Sequence, residues 1–373
     1  MKEKISAELL SPINQLTQPG TRIFALDLIK GISIAAVVFY HSIFVPISTY
    51  ADVAISELII SAPLRFCVPV MFTISFMLFE REFSKSHPKP DSLLLKQRLY
   101  RLAIPTAFWF SIAAALQLFK GNAPVELIGE ILTGTIYIGA FYLIILLQFT
   151  PVYTLLRNWF NNRRNIAIVI LLQALFFLGV QAVMAGRIAI VGIDTVNILR
   201  MINRSFFIYW FVYMALGYYC YHHWSTLVKI STQIPNKIKV ILVCLTGLLM
   251  TIEYCKLMTS VSGDNSTFEY AMLSCILSVF VVFACFASIE ENQLHPLAVQ
   301  VVKLLSKYSL GIFCINGILS QILSLIARHM FSEATFNLPE IILARLVGWI
   351  ILLTASLGLS ILLNRVRLGA CVR

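Results

Sequence analysis

The chain has 373 residues, of which 59% are apolar and only 13% charged. Soluble domains run nearer 25% charged, so a water-soluble globular domain is excluded. Lys and Arg outnumber Asp and Glu by 29 to 18, a net charge of +11. No basic run with interleaved aromatics lies in a polar segment, which discounts nucleic acid as a partner. Basic cytoplasmic loops of a membrane protein account for the excess instead.

Residues 1–21 read as a polar N-terminal tail, cytoplasmic on the loop charges below. From residue 22 to 373 apolar runs recur at the ~20-residue length that crosses a bilayer. They fall at about 24–48, 54–79, 99–119, 136–156, 165–185, 205–223, 238–258, 268–289, 304–327 and 340–363. Their continuous apolarity, without strict alternation, predicts helices rather than a barrel. The expected fold is therefore all-α, a polytopic membrane protein of about ten transmembrane helices in a single transmembrane domain, 22–373.

The first segment carries Asp27, Lys30 and His41. Lys30 and His41 are eleven residues apart, which leaves them on one helix face about 16 Å from each other. An ionisable group at membrane depth is costly and marks a functional site or a satisfied interhelical hydrogen bond. Neutral imidazole accepts a proton near physiological pH, which suits a general base. The second segment holds Pro63, Arg65 and Pro69, and proline inside a helix predicts a kink or break. The third opens on Arg98 and Arg101, three residues apart and so on one face. Guanidinium grips phosphate in a bidentate fork, so two arginines with Lys30 suit an anion bearing several phosphates. Anchoring against lipid headgroups is the alternative reading of the same residues. Further on, Arg187, Asp194, Arg200 and Arg204 precede the sixth segment, and Glu253 lies late in the seventh. These form a low-specificity set for holding an acceptor substrate.

With the N-terminus inside, cytoplasmic segments collect 20 basic residues and the opposite side six: Lys120, Arg187, Arg200, Arg204, Lys256 and Arg328. That asymmetry predicts both termini in the cytoplasm. Eight cysteines lie mostly within apolar runs, with no CxxC or Cys/His metal spacing, so no metal cofactor and no disulfide framework is expected.

The pattern LDLIKG…VVFYH, with Lys30, ten residues and His41, resembles the first helix of the membrane acyltransferase-3 family. Arg98-Leu-Tyr-Arg101, followed by Pro105, is similar to that family's RxxR pair opening the third helix. Weaker echoes run through 68–78, 140–152, 210–219 and 308–316. Two positions depart from the pattern: Phe76 follows Ser75 where a glycine is usual, and Asn316 stands where a histidine is common. The resemblance implies a membrane O-acyltransferase of a bacterial inner membrane. Its donor would be a cytoplasmic acyl-coenzyme A, acetyl by default, and its acceptor a hydroxyl of a surface polysaccharide or a lipid-linked glycan. It assigns His41 the catalytic role and Lys30, Arg98 and Arg101 the donor phosphates; Arg200, Arg204 and Glu253 would face the acceptor. Asp27 is expected to pair with local cations, since ~21 Å of helix separates it from His41. A glycan transporter or flippase is the competing class, for ten helices with internal charges suit it too.

Overall fold

The computed structural model describes residues 23–42, 49–51, 61–85, 89–188, 207–260, 268–331 and 334–373. The N-terminal tail, Asp194, Arg200 and Arg204 fall outside them. The described residues fold into thirteen α-helices: α1 (Phe24–His41), α2 (Cys67–Phe83), α3 (Asp91–Phe119), α4 (Pro124–Thr133), α5 (Phe141–Leu156), α6 (Arg163–Met184), α7 (Phe211–His222), α8 (Trp224–Gln233), α9 (Asn236–Ser260), α10 (Leu273–Phe286), α11 (Pro296–Lys307), α12 (Ser309–Met330) and α13 (Leu338–Arg365).

Seven of these units are long and apolar enough to cross a membrane: α1, α2 with its lead-in from Ala62, α3, α6, α9, α12 and α13. The other three expected spans are shorter helices, α5 of 16 residues, α7 of 12 and α10 of 14. Helices α7 and α10 follow 3-10 turns at Phe207–Trp210 and Glu269–Ala271, where the α-helical ladder stops short of the apolar run.

α1 ends sooner than its hydropathy predicts. The Ser42 amide bonds the Phe39 carbonyl at 3.2 Å, a tight i→i−3 closure, and the Ser42 hydroxyl donates to the same oxygen at 2.6 Å. Serine competes in this way with the helical ladder. The prolines of the second segment sit where they cost little. Pro63 opens the 3-10 lead-in Ala62–Phe66 and Pro69 lies in the first turn of α2, where backbone donors have no intrahelical partner anyway. The expected break is thus the 3-10 to α transition at Phe66–Cys67, not a proline kink within the helix.

α2 is the central element, with thirteen of its seventeen residues buried. It packs most closely on α7, where a Cβ added to Gly217 would lie 2.8 Å from the Thr73 carbonyl and 2.7 Å from Phe76 Cβ. α1 packs between α2, α11, α12 and α13. The outer helices turn large apolar side chains outward: Leu171, Leu172 and Leu175 on α6, Ile241, Leu245 and Leu248 on α9, Val347, Ile350 and Ile351 on α13. Exposed apolar bands of that extent belong against lipid.

Candidate functional site

His41 is the last residue of α1 and is half-buried. Its Nδ1 lies 2.8 Å from the side-chain nitrogen of Asn316, which is fully buried on α12. Asn316 comes seven residues after the start of α12 and fourteen before its end. The imidazole therefore lies about 10 Å along α12 from one end and about 21 Å from the other. Although α1 stops there, the bundle continues well past it.

The rest of the wall comes from three elements. Gly139, in the turn before α5, has φ 91°, and a Cβ there would sit 2.9 Å from the Phe313 ring and 3.6 Å from His41 Cε1. Only glycine fits both that backbone and that space. A Cβ on Gly317 would meet the Ile138 carbonyl at 2.3 Å, so α12 presses directly on the same turn. Tyr40 stacks obliquely on His41 at 5.4 Å and accepts a 2.5 Å hydrogen bond from Arg65 Nη1. Arg65 pairs with Glu269 at 2.6 Å, both side chains 2% exposed, and also donates to the Tyr254 hydroxyl at 2.9 Å. Such a pair is poor grounds for stability but makes a firm geometric tie once both charges are matched. It fastens the last turn of α1 to the Ala62–Phe66 lead-in and to the segment before α10.

A second group of polar side chains lies toward the N-terminal end of α1. Lys30 is half-buried and engaged by its neighbours. Asp27 accepts a hydrogen bond from Ser306 of α11, so this carboxylate serves the α1–α11 contact. Arg98 donates from Nη2 to the Ser75 carbonyl at 3.0 Å and the Ser75 hydroxyl at 2.6 Å, and its guanidinium covers the Phe79 ring at 4.5 Å. Its Nε is buried without a partner, and no carboxylate pairs with Arg98 among the described residues. Arg101 shares the helix but is exposed. Going from Arg98 along α3, Phe110 meets Tyr137 at 5.7 Å, and Tyr137 packs on Gly317 beside Asn316. Twelve residues of α3, about 18 Å, thus separate Arg98 from the level of the imidazole. Eleven residues of α1, about 16 Å, separate Lys30 from it. Between the two levels stand aromatic rings, Phe72, Tyr142 and Phe313, in successive contact.

Directly after Phe79 on α2, the fully buried Glu80 accepts hydrogen bonds from Tyr153 at 2.8 Å, from Arg157 at 2.6 and 3.0 Å, and from His222 at 3.0 Å. One carboxylate thereby joins α2, α5 and α7. Among the described residues no group of His, Cys, Asp and Glu could hold a metal.

An acyltransferase-domain family profile matches residues 23–365, nearly the whole chain. The chain belongs to the acyltransferase-3 family. No curated protein and no solved structure matches it significantly. With its seven long apolar helices, this acyltransferase-3 chain is an integral membrane protein carrying an acyltransferase domain.

Within this acyltransferase, the residues singled out by spacing divide into two levels, Lys30, Arg98 and Arg101 at one and His41 at the other. Glu253 is spoken for: its two oxygens take the Leu273 and Ser274 amides at 3.0 and 2.8 Å, closing the N-terminus of α10. Three residues escaped sequence reasoning. Asn316 stands out in the sequence only as a departure from a histidine pattern and Ser75 only as a departure from Ser-Gly, and Glu80 belongs to no motif. For Glu80 a signal exists, a carboxylate directly at the end of the apolar run 54–79, where the edge of the membrane calls for partners.

Proposed function

We propose that this acyltransferase takes an acyl group, acetyl by default, from a cytoplasmic acyl-coenzyme A and delivers it to a hydroxyl of a surface polysaccharide or its lipid-linked precursor. The membrane would be a bacterial inner membrane, with both termini in the cytoplasm. The observation that carries this reading is the two-level layout. Arg98, a half-buried guanidinium with no carboxylate partner among the described residues, lies about 18 Å along α3 from the level of the imidazole, and Lys30 about 16 Å from it along α1.

A guanidinium withdrawn from water and left without a counter-ion is costly, so an anionic ligand group that completes it binds well. Arg98, assisted by Lys30 and Arg101, would take the phosphates of the nucleotide head. The neutral pantetheine arm would then run past Phe72, Tyr142 and Phe313 toward His41. There the imidazole activates the acceptor hydroxyl, or takes the acyl group itself before passing it on. Position at the end of α1 assists either route, because the C-terminal helix dipole favours the imidazolium that forms during reaction. Acceptor contacts are proposed from Arg200 and Arg204, with Glu253 acting only indirectly, through the helix it caps.

The test uses purified protein in nanodiscs with labelled acetyl-coenzyme A and candidate acceptors. His41→Ala should abolish transfer while still binding donor. Arg98→Ala should raise the donor KM by about tenfold or more, as loss of a charge-assisted contact implies. Normal acylation by a well-folded His41→Ala variant ends the proposal. In cells, the surface glycan should lose one acyl group per repeat when the protein is removed. Blocked export of unmodified glycan would instead favour a transporter.

A further inference from the structure

Where α11 meets α12, two cations converge on one tyrosine. Tyr308 is buried at that junction. Lys307 Nζ lies 5.3 Å from the centre of its ring and the Arg373 guanidinium 5.7 Å from it, both within cation–π range. Asn364 of α13 donates to the Tyr308 hydroxyl at 3.3 Å. Neither Lys307 nor Arg373 has a carboxylate partner among the described residues.

Buried contacts set Arg373 in place. After α13 the chain turns back into the bundle, where Trp109 of α3 donates to the Cys371 carbonyl at 2.8 Å. The Gly311 amide of α12 donates to the Val372 carbonyl at 3.2 Å, and Val372 is fully buried. A Cβ on Gly311 would lie 2.7 Å from that of Val372, so the fit is close. Arg373 follows directly, exposed but held at its backbone. The cluster lies on the Lys30 side of His41, because Ser306, two residues before Tyr308, donates to Asp27. Tyr308 precedes Asn316 by eight residues, about 12 Å along α12, a depth comparable with those of Lys30 and Arg98.

Two like charges held at one ring repel each other. Every group that faces the phenol is a donor: an ammonium, a guanidinium and an amide N–H. The Tyr308 hydrogen has no acceptor among them. The cluster thus calls for an anion rich in acceptor oxygens. A phosphate monoester supplies close to two negative charges at neutral pH and three such oxygens.

We propose that Lys307, Arg373 and the Tyr308 hydroxyl bind the phosphate monoester carried on the ribose of the acyl-coenzyme A donor. This rests on the donor reading above and divides the nucleotide head between two groups of cations. Arg98, with Lys30 and Arg101, holds the diphosphate, which is continuous with the pantetheine arm. The Tyr308 cluster holds the monoester, which branches from the sugar. The second contact selects coenzyme A over a head that bears the diphosphate alone.

Full-length protein in phosphatidylcholine nanodiscs is assayed with acetyl-coenzyme A and with its 3′-dephospho analogue. The unaltered enzyme should show a KM about tenfold or more lower for acetyl-coenzyme A, the worth of a charge-assisted contact. Arg373→Gln and Lys307→Gln should each raise that KM severalfold toward the value for the analogue, whose own KM moves little. A merely structural effect raises both KM values together and overturns the proposal, as does an unaltered enzyme without preference. Should the cluster serve only lipid headgroup phosphates, both variants keep the donor preference and instead bind anionic phosphatidylglycerol more weakly, which also overturns it. On unaltered protein, acetyl-coenzyme A should shield Lys307 from an amine-reactive reagent, read by mass spectrometry, and the analogue should not. Equal shielding overturns the site. Turnover with neither donor fails the donor reading itself, whereas equal turnover with both fails this site alone.

Discussion

Arg98 depends on Ser75 more than on any charged partner. Two of its donor bonds go to that one residue, and only the hydroxyl bond at 2.6 Å can be removed by mutation. Ser75→Ala should therefore raise the donor KM by about tenfold, the worth of one hydrogen bond to a charged group, while kcat stays near its starting value. Ser75→Thr should restore it, and steady-state kinetics in the donor check both. Residues at this scale were unequally legible. Lys30 and His41 belong to one helix, so their relation follows from helical period alone. Asn316, which contacts His41, lies 275 residues away on another helix. No local periodicity encodes such a pairing, and Asn316 drew notice only for not being histidine. Ser75 is 23 residues from Arg98, across a turn, and escaped for the same reason.

Among the elements, the α2–α7 contact has no slack. Gly217→Ala places a methyl 2.8 Å from the Thr73 carbonyl, so one helix must move. The expected cost is about 1 to 3 kcal/mol, the range for overpacking a tight interior, seen as a lower melting temperature in detergent. Glu80 fixes the same pair of helices by another means. Glu80→Gln would leave Arg157 and His222 without their carboxylate. Because both keep partial solvent access, the loss should be smaller than for a fully buried pair. Apolar runs announced where helices would lie, yet they misplaced the ends. α1 was expected to reach residue 48 and stops at 41, since a serine hydroxyl, not hydropathy, closes it. The short α7 and α10 show the same limit, because 3-10 turns leave a run just as apolar as a continuous helix would be.

Among the described residues, the candidate site groups Lys30, Arg98 and His41 divide between two depths, and the outer helices show lipid an apolar exterior. The proposed orientation places the turn at Glu291–Gln293 in the cytoplasm and the turn at 120–123 on the opposite side. Single cysteines at Gln293 and Ala123, in a background lacking the native eight, should label accordingly with an impermeant maleimide. Ala123→Cys should react in intact spheroplasts and Gln293→Cys only after lysis; the reverse pattern would invert the topology. α1 finishing inside the protein has an effect on traffic through it. The final carbonyls of a helix form a weakly negative pole, and this one looks into the interior beyond His41. A phosphate drawn in by Arg98 and Lys30 would meet repulsion there, whereas an uncharged thioester would not. For the proposed donor, one short helix thus works as a charge filter, arresting the nucleotide at the entrance while its reactive tip goes on.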